Sequence, residues 1–590
     1  MPGTFGSLEI ALRSLRSHQR AIEIAGHNVA NVNNEAYARQ KAVFAATEPY
    51  TVPALNREEA IGQIGTGVEI VRIQRYVSDY LNAQYRDQLP NLERWRVLEQ
   101  ALGQMEVILQ EPSETGISAA LGNFWRAWNE LASMPQDLAA RTAVVEASSN
   151  LAFSIRDAVS RLRELQQDMD VQVRQSVQRI NEIAVEIASL NDQISKVQAF
   201  GNQPNDLRDR RDALLDELTK IVNVNYFENL DGTITVDIGG HALVIGIYYS
   251  QLEAQRDPSN GMWYRVAWQD TNSALVVNGV RLEGGLDPEN GALVAGKLGG
   301  AFFARDLVVP EMIQELNTLA SGLIEAVNGL HALGYGLPSG GMASEGARVA
   351  SVHPPLPSGA VESVATSRDL ERGLGGGTYT LEVRDNGGEW QFRLLDWSGN
   401  PVAIRAVGSS AFTTEWQAIP LGQVYETGRG IAIAFGQTGA TGTVSFQYDN
   451  FFAGRGSSDI DISQWVREDP RRVAAAQGEV ASGDNRQALA VAGLQREAII
   501  TGGYSADAFY GSIITRLGLS ARQALAMTAN AEAIAQHLER RKAEVSGVDL
   551  DEETADLLRF QRAYQAAARV MTVLDEMLDR LINGTGLVGR

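Results

Sequence analysis

Cysteine is absent from all 590 residues. That excludes disulfide frameworks, thiolate nucleophiles, zinc–thiolate clusters and redox pairs. Lysine is scarce as well: Lys41, Lys196, Lys220, Lys297 and Lys542 are five of 51 basic residues, and the remaining 46 are arginine. Arginine suits geometrically fixed ion pairs at packed surfaces. Positive charge is in deficit overall, with 51 basic against 72 acidic side chains for a net −21. Such a surface repels phosphate backbones and anionic lipid, so neither nucleic acid nor membrane is an expected partner. The longest apolar stretches, around Ala242–Tyr249, fall far short of the ~18 residues of a transmembrane helix. The opening MPGTFGSLEIALRS has no basic region followed by an apolar one, which argues against a cleavable signal peptide.

What is present is an ordinary globular composition, 44% hydrophobic and 21% charged, on a chain long enough for several domains. Both ends read as helices. At the N-terminus Phe5, Leu8, Leu12, Leu15, Gln19, Ile22, Gly26 and Val29 step by three and four. At the C-terminus Leu557, Phe560, Tyr564, Ala567, Met571, Leu574, Leu578 and Leu581 do the same. That heptad period keeps one stripe facing a partner helix. Residues 1–45 carry five basic and three acidic side chains, and residues 546–590 five basic and eight acidic, so the ends have opposite net charge. A third heptad run, Ile180, Ile183, Ile187, Leu190, Ile194 and Val197, lies in a long helical stretch, and NDLRDRRDALLDELTKIV (205–222) reads as a charged helix. Strands are expected where Ile234, Val236 and Ile238 alternate, and a β-hairpin where Tyr379, Leu381 and Val383 meet Trp390, Phe392 and Leu394 across Asp385-Asn386-Gly387-Gly388.

These patterns predict an α+β multidomain chain: a terminal α-helical coiled-coil module, a helical-bundle rod with some β, and an inserted β-rich domain. The expected divisions are an N-terminal core segment and linker (1–60), and a rod domain (61–333) with strands about 223–295. A glycine-rich β insertion (334–456), a helical return (457–545) and a C-terminal core helix (546–590) follow.

Little reads as chemistry. Gly291-Ala-Leu-Val-Ala-Gly296-Lys297 spells seven positions of a phosphate loop, but the eighth is Leu298, which has no hydroxyl for magnesium. The six histidines are scattered without ligand spacing, and no GxSxG elbow is present. Glu389 and Asp396 are carboxylates near the hairpin that could be candidates, and solvated strand and turn positions account for them. No catalytic, cofactor-binding or metal-binding residue is expected, and no cofactor.

One spelling is more specific. HNVANVNNEAYARQ (27–40) ends the first heptad helix with asparagines, which suit a helix terminus because Asn tolerates left-handed backbone. It resembles the N-terminal signature of the flagellar rod, hook and hook-associated axial proteins, with Ala36 where that family has glycine and Asn34 where it has threonine. SGVDLDEETADLLRFQRAYQAAARVMTVLDEMLDRL (546–581) resembles the closing helix of members that sit at the junction of hook and filament. LRDRRDALLDEL (207–218), GKLGGAFFARD (296–306), LASGLIEAVNGLHALG (319–334) and GDNRQALAVAGLQ (483–495) are similar to interior blocks of the same members.

The resemblance implies a non-enzymatic structural subunit of the bacterial flagellum, exported unfolded by the type III apparatus without cleavage and polymerising through its terminal helices. Implied partners are further copies in a ring, the hook protein, the second junction protein or filament neighbours, and an export chaperone at the C-terminal helix. Leu8, Leu12, Leu15, Ile22, Val29, Asn31, Asn33 and Tyr37 would form the assembly interface with Leu557, Phe560, Tyr564, Ala567, Met571, Leu574, Leu578 and Leu581. A hook protein or other axial protein is an alternative in the same class. An enzyme or adhesin with its site in 334–456 is a third reading.

Overall fold

The computed structural model describes residues 4–49, 65–111, 113–258, 263–277, 280–282, 294–331, 334–337, 451–477 and 483–584, with further stretches between 350 and 448 that carry strands. Residues 291–293 of the phosphate-loop spelling and Asp396 lie outside them. The chain forms two compact units.

The first unit comprises residues 1–99, 169–306 and 524–590. It opens with α1 (Thr4–Ala30), followed by the antiparallel pair β1 (Gln40–Ala46) and β2 (Val68–Arg75), which carries a bulge at Val43/Phe44. Its core forms where the isoleucine heptad of α4 (Leu138–Ala199) meets α5 (Asn205–Ile221) and the sheets of residues 225–281. Ile180, Ile183, Ile187 and Ile194 are fully buried there, against Leu215, Leu218 and Val236. The alternation of Ile234, Val236 and Ile238 is realised as β4 (Ile234–Ile238), with all three buried, in a four-stranded sheet ordered β3 (Asn225–Glu228), β4, β5 (His241–Ile245), β6 (Tyr248–Tyr249). Gly296 of the phosphate-loop spelling and Gly300 just beyond it serve packing. Gly296 has φ +85°, and a Cβ there would collide with the backbone of Ile221 and Val222. At Gly300 a Cβ would press on Val97. The glycines thus let the short helix Gly296–Phe303 lie close to α5 and to α2 (Asp79–Leu109).

The second unit comprises residues 100–168 and 307–523. Helix α3 (Ile117–Ser133) buries Phe124, Trp125 and Trp128, with Phe124 against Trp125 and Phe452 and Trp128 against Phe451. The expected hairpin is present: β13 (Thr378–Asn386) pairs with β14 (Glu389–Leu395) around Gly387 at φ +71°. These strands belong to a five-stranded sheet ordered β11 (Ala350–His353), β19 (Gly442–Tyr448), β13, β14, β16 (Gln417–Ala418). Glu389 is exposed on it.

Candidate functional site at the paired termini

Helix α1 packs along the C-terminal helix Leu550–Gly584 within one chain. Contacts run from His18 with Phe560 to Asn28 with Glu553, so the two helices are antiparallel. The face α1 buries is small: Ala11, Ser17, Ala21, Ala25 and Asn28. Small side chains admit the β1–β2 hairpin and the C-terminal helix at close range, and Ala21, Ala42 and Phe560 form the centre of the contact. His18, Phe44 and Phe560 make an aromatic cluster with ring centroids 5.6–6.3 Å apart. Burial, with the Arg559 guanidinium nearby, holds His18 below the usual histidine range.

The larger expected stripe lies beside this face. Leu8, Leu15, Ile22 and Val29 are half-buried, and Leu12 is exposed. On the C-terminal helix Phe560 and Ala567 are buried, while Leu557, Met571, Leu574 and Leu578 are half-buried on the same side. Tyr564 and Leu581 are exposed. A second stripe was not legible in the heptad: Val570, Val573 and Met577, at 52%, 54% and 50% exposure, continue to Leu581 on one outer face.

Where the asparagine-rich signature leaves α1, a polar network ties the ends together. Asn28 is 1% exposed and uses every valence. Its amide donates to the carbonyl of Gln40 (2.8 Å) and to Glu553 Oε2 (2.9 Å). Its oxygen accepts from the Tyr37 hydroxyl (2.7 Å) and the Gln40 amide (3.0 Å). Arg39 grips the first turn of the C-terminal helix through Glu553 (2.7 Å) and Glu552 (2.5 Å), and its backbone amide donates to the Ser546 carbonyl. Those carboxylates also stand at the helix N-terminus, where negative charge is favoured.

The network continues into α5. The Gln40 amide donates to Asp206 and accepts from Asn205, and the Ala38 N–H donates to Asp209. Arg75 bridges Asp209 and Asp212 at 2.6 Å each. Burial nevertheless pushes the Asp209 carboxyl up to about 6, with the neighbouring Asp212 charge adding to the rise and Arg75 and the Ala38 N–H opposing it. Asp212 stays below the usual carboxylate range against its burial, held there by Arg86 and Arg75. Arg86 reaches Asp212 and Asp216 and lies 4.9 Å over the Tyr226 ring, and Lys542 closes the chain on Asp216 at 2.8 Å.

Tyr37 therefore belongs to the buried network. Asn31 bonds the His27 carbonyl at the helix end, and Asn33 is exposed in the turn. Asn28 is a correction to the reading of all four asparagines as terminus formers: it is a buried hub inside α1. Arg39, Gln40, Asp209 and Glu553 escaped sequence reasoning. Their one signal was their place inside or opposite the signature. Among the described residues no group of His, Asp and Glu is arranged to hold a metal ion, and no helix is long and apolar enough to cross a membrane.

Comparison with known proteins follows the same outline. Residues 102–345 match the model of the flagellar hook-associated protein FlgK helical domain, and residues 542–584 that of the flagellar basal body rod FlgEFG protein C-terminal region. The chain is 25% identical to flagellar hook-associated protein 1 of Bacillus subtilis over the whole of both chains. It is 26% identical to the protein of that name from Escherichia coli, over 97% of this chain and 98% of that one. The flagellar hook junction protein FlgK of Burkholderia pseudomallei has a similar fold, with a TM-score of 0.50 at 18% identity, covering 80% of this chain and all of the other.

Proposed function

We infer that this chain, which belongs to the flagellar hook-associated protein 1 family, is a structural subunit of the hook–filament junction of the bacterial flagellum. The observation that carries the reading is end-to-end likeness to hook-associated protein 1, combined with the fate of the signature. Its Asn28, Tyr37, Arg39 and Gln40 bind the N-terminal segment to the C-terminal helix.

The work of such a subunit is adhesion between copies. Each terminal helix uses a small or aromatic face within the chain and leaves an apolar face over. Leu8, Leu12, Leu15 and Val29 on α1, with Tyr564, Val570, Val573, Met577 and Leu581 on the C-terminal helix, supply the surface on which neighbouring copies and axial proteins dock, while Ile22 packs on the Ala21, Ala42 and Phe560 centre. Burial of ~25 cal/mol per Å² of that apolar area drives association. Leu557, Phe560, Ala567, Met571, Leu574 and Leu578 hold the pair itself together. Residues 1–60 and 546–590 then form the core module, 61–333 and 457–545 the rod, and 334–456 the inserted domain. The subunit acts without catalysis. It forms a ring with its own copies between hook protein and the second junction protein or filament. It leaves the cell unfolded through the type III apparatus, and an export chaperone covers the C-terminal helix beforehand.

Removal of the chain from a flagellated host tests the reading. Completed hooks without attached filaments are expected. Filaments still attached to hooks would overturn it, and absence of hooks would reassign the chain to the hook itself.

A further inference from the structure

A cleft of about 840 Å³ opens in the first unit between the Asn31–Ala38 turn, the start of α2, α5 and the end of the helix Ala506–Ser546. Six carboxylates and three cations line it. Four of those carboxylates, Asp209, Asp212, Asp216 and Glu217, have ion-pair partners in Arg75, Arg86, Lys542 and Arg179. Glu35 and Glu539 have none among the described residues, and both are exposed to the cleft.

The two free carboxylates converge on a third group. Tyr85 is 9% exposed, its ring packed among Leu89, Ala535 and Leu538. Its hydroxyl has no hydrogen-bond partner among the described residues. Burial first, then Glu539, Asp216 and Glu35, push that hydroxyl up to about 12, so it stays protonated and neutral. Two unpaired carboxylates beside an unpartnered phenol oxygen accept hydrogen bonds, and a guanidinium carries five donors in a planar fork.

Several exposed arginines have no ion-pair partner among the described residues, and two of them lie on the terminal helix α1. Arg16 and Arg20 stand four residues apart on the exposed side of α1 without a carboxylate partner among the described residues, whereas Arg13 and Arg39 are paired. They cannot reach the cleft of their own chain. Arg20 precedes Asn31, the nearest cleft residue on its segment, by about 16 Å of helix at ~1.5 Å per residue, and an arginine spans less than half of that. We propose that the cleft receives the Arg16–Arg20 edge of α1 from a second copy of this chain, a guanidinium seating between Glu35 and Glu539 with the Tyr85 hydroxyl as third acceptor. The inference rests on the reading that the chain polymerises, and it adds a polar lateral contact beside the apolar helix faces.

Because the chain has no cysteine, paired single-cysteine reporters carry no background. Full-length Gln19→Cys and Asn33→Cys chains, both exposed positions, are co-produced in flagellated cells lacking the natural copy. An oxidised heterodimer is expected, with none from Thr271→Cys in place of Asn33→Cys. Adding Glu35→Arg and Glu539→Arg to the Asn33→Cys chain lowers its yield about tenfold or more, as loss of one side of a close charge pair does. Arg16→Glu and Arg20→Glu in the Gln19→Cys chain restore it. No dimer in cells whose filaments are attached, or a yield indifferent to charge reversal, would overturn the cleft contact while the junction role stands. Reporters missing from the flagellum altogether would overturn both.

Discussion

Arg86→Ala is expected to destabilise the first unit by about 3–5 kcal/mol, the cost of removing one partner from a buried ion pair. Arg86 has a side chain 3% exposed and serves three groups: Asp212, Asp216 and the face of Tyr226. Truncation leaves Asp212 to Arg75, which already serves Asp209, and leaves Asp216 to Lys542. Hydrogen exchange of the α5 amides at pH 7 reads the loss. In the native chain Asp212 has a depressed pKa, so its contribution is present above the ordinary carboxylate value and is lost as pH falls through the folded value. In the variant its burial is poorly compensated and that pKa rises. The gap between the two proteins therefore narrows as the medium is acidified from neutrality. A loss under ~1 kcal/mol would mean that Arg86 is a surface-like pair, in the range of exposed salt bridges.

Asn28→Ala is expected to cost about 3 kcal/mol, concentrated at the chain ends. The substitution strands the Tyr37 hydroxyl, both backbone groups of Gln40 and one oxygen of Glu553, and each orphaned buried group costs ~1–3 kcal/mol before water relieves some of it. At ~1.4 kcal/mol per tenfold, amides of residues 28–40 and 546–560 exchange over a hundredfold faster. Asn33→Ala, five residues on in the exposed turn, changes stability by less than ~0.5 kcal/mol. Equal effects from the two asparagines would show that the signature forms a turn and nothing more.

The comparison of Asn28 with Asn33 also marks how far the sequence could be read. Element types followed from period. The isoleucine heptad of α4, the alternation in β4 and the hairpin about Gly387 appear where their spacing places them. The resemblance carried by the signature and the closing helix agrees with the comparisons along the whole chain. Which face of α1 turns inward was not legible, since a heptad of large residues marks a sticky stripe without saying who covers it. The chain buries the alanines beside that stripe, because a hairpin and a second helix must approach at once. The polar network was hidden for a different reason. Asn28, Glu553 and Asp209 lie far apart in sequence, and only tertiary contact reveals that one asparagine satisfies four partners. The glycine spelling at residues 291–297 shows the converse: a loop pattern whose Gly296 is fixed by close packing on Ile221.

The central claim is that this chain is a component of the junction, and position tests it most directly. Glu389 is exposed beside the β13–β14 turn, and cysteine occurs nowhere else, so Glu389→Cys accepts a single gold label on flagella isolated from complemented cells. Electron microscopy is expected to show the gold as one narrow band where hook meets filament. Gold distributed along the hook or along the filament would contradict the account.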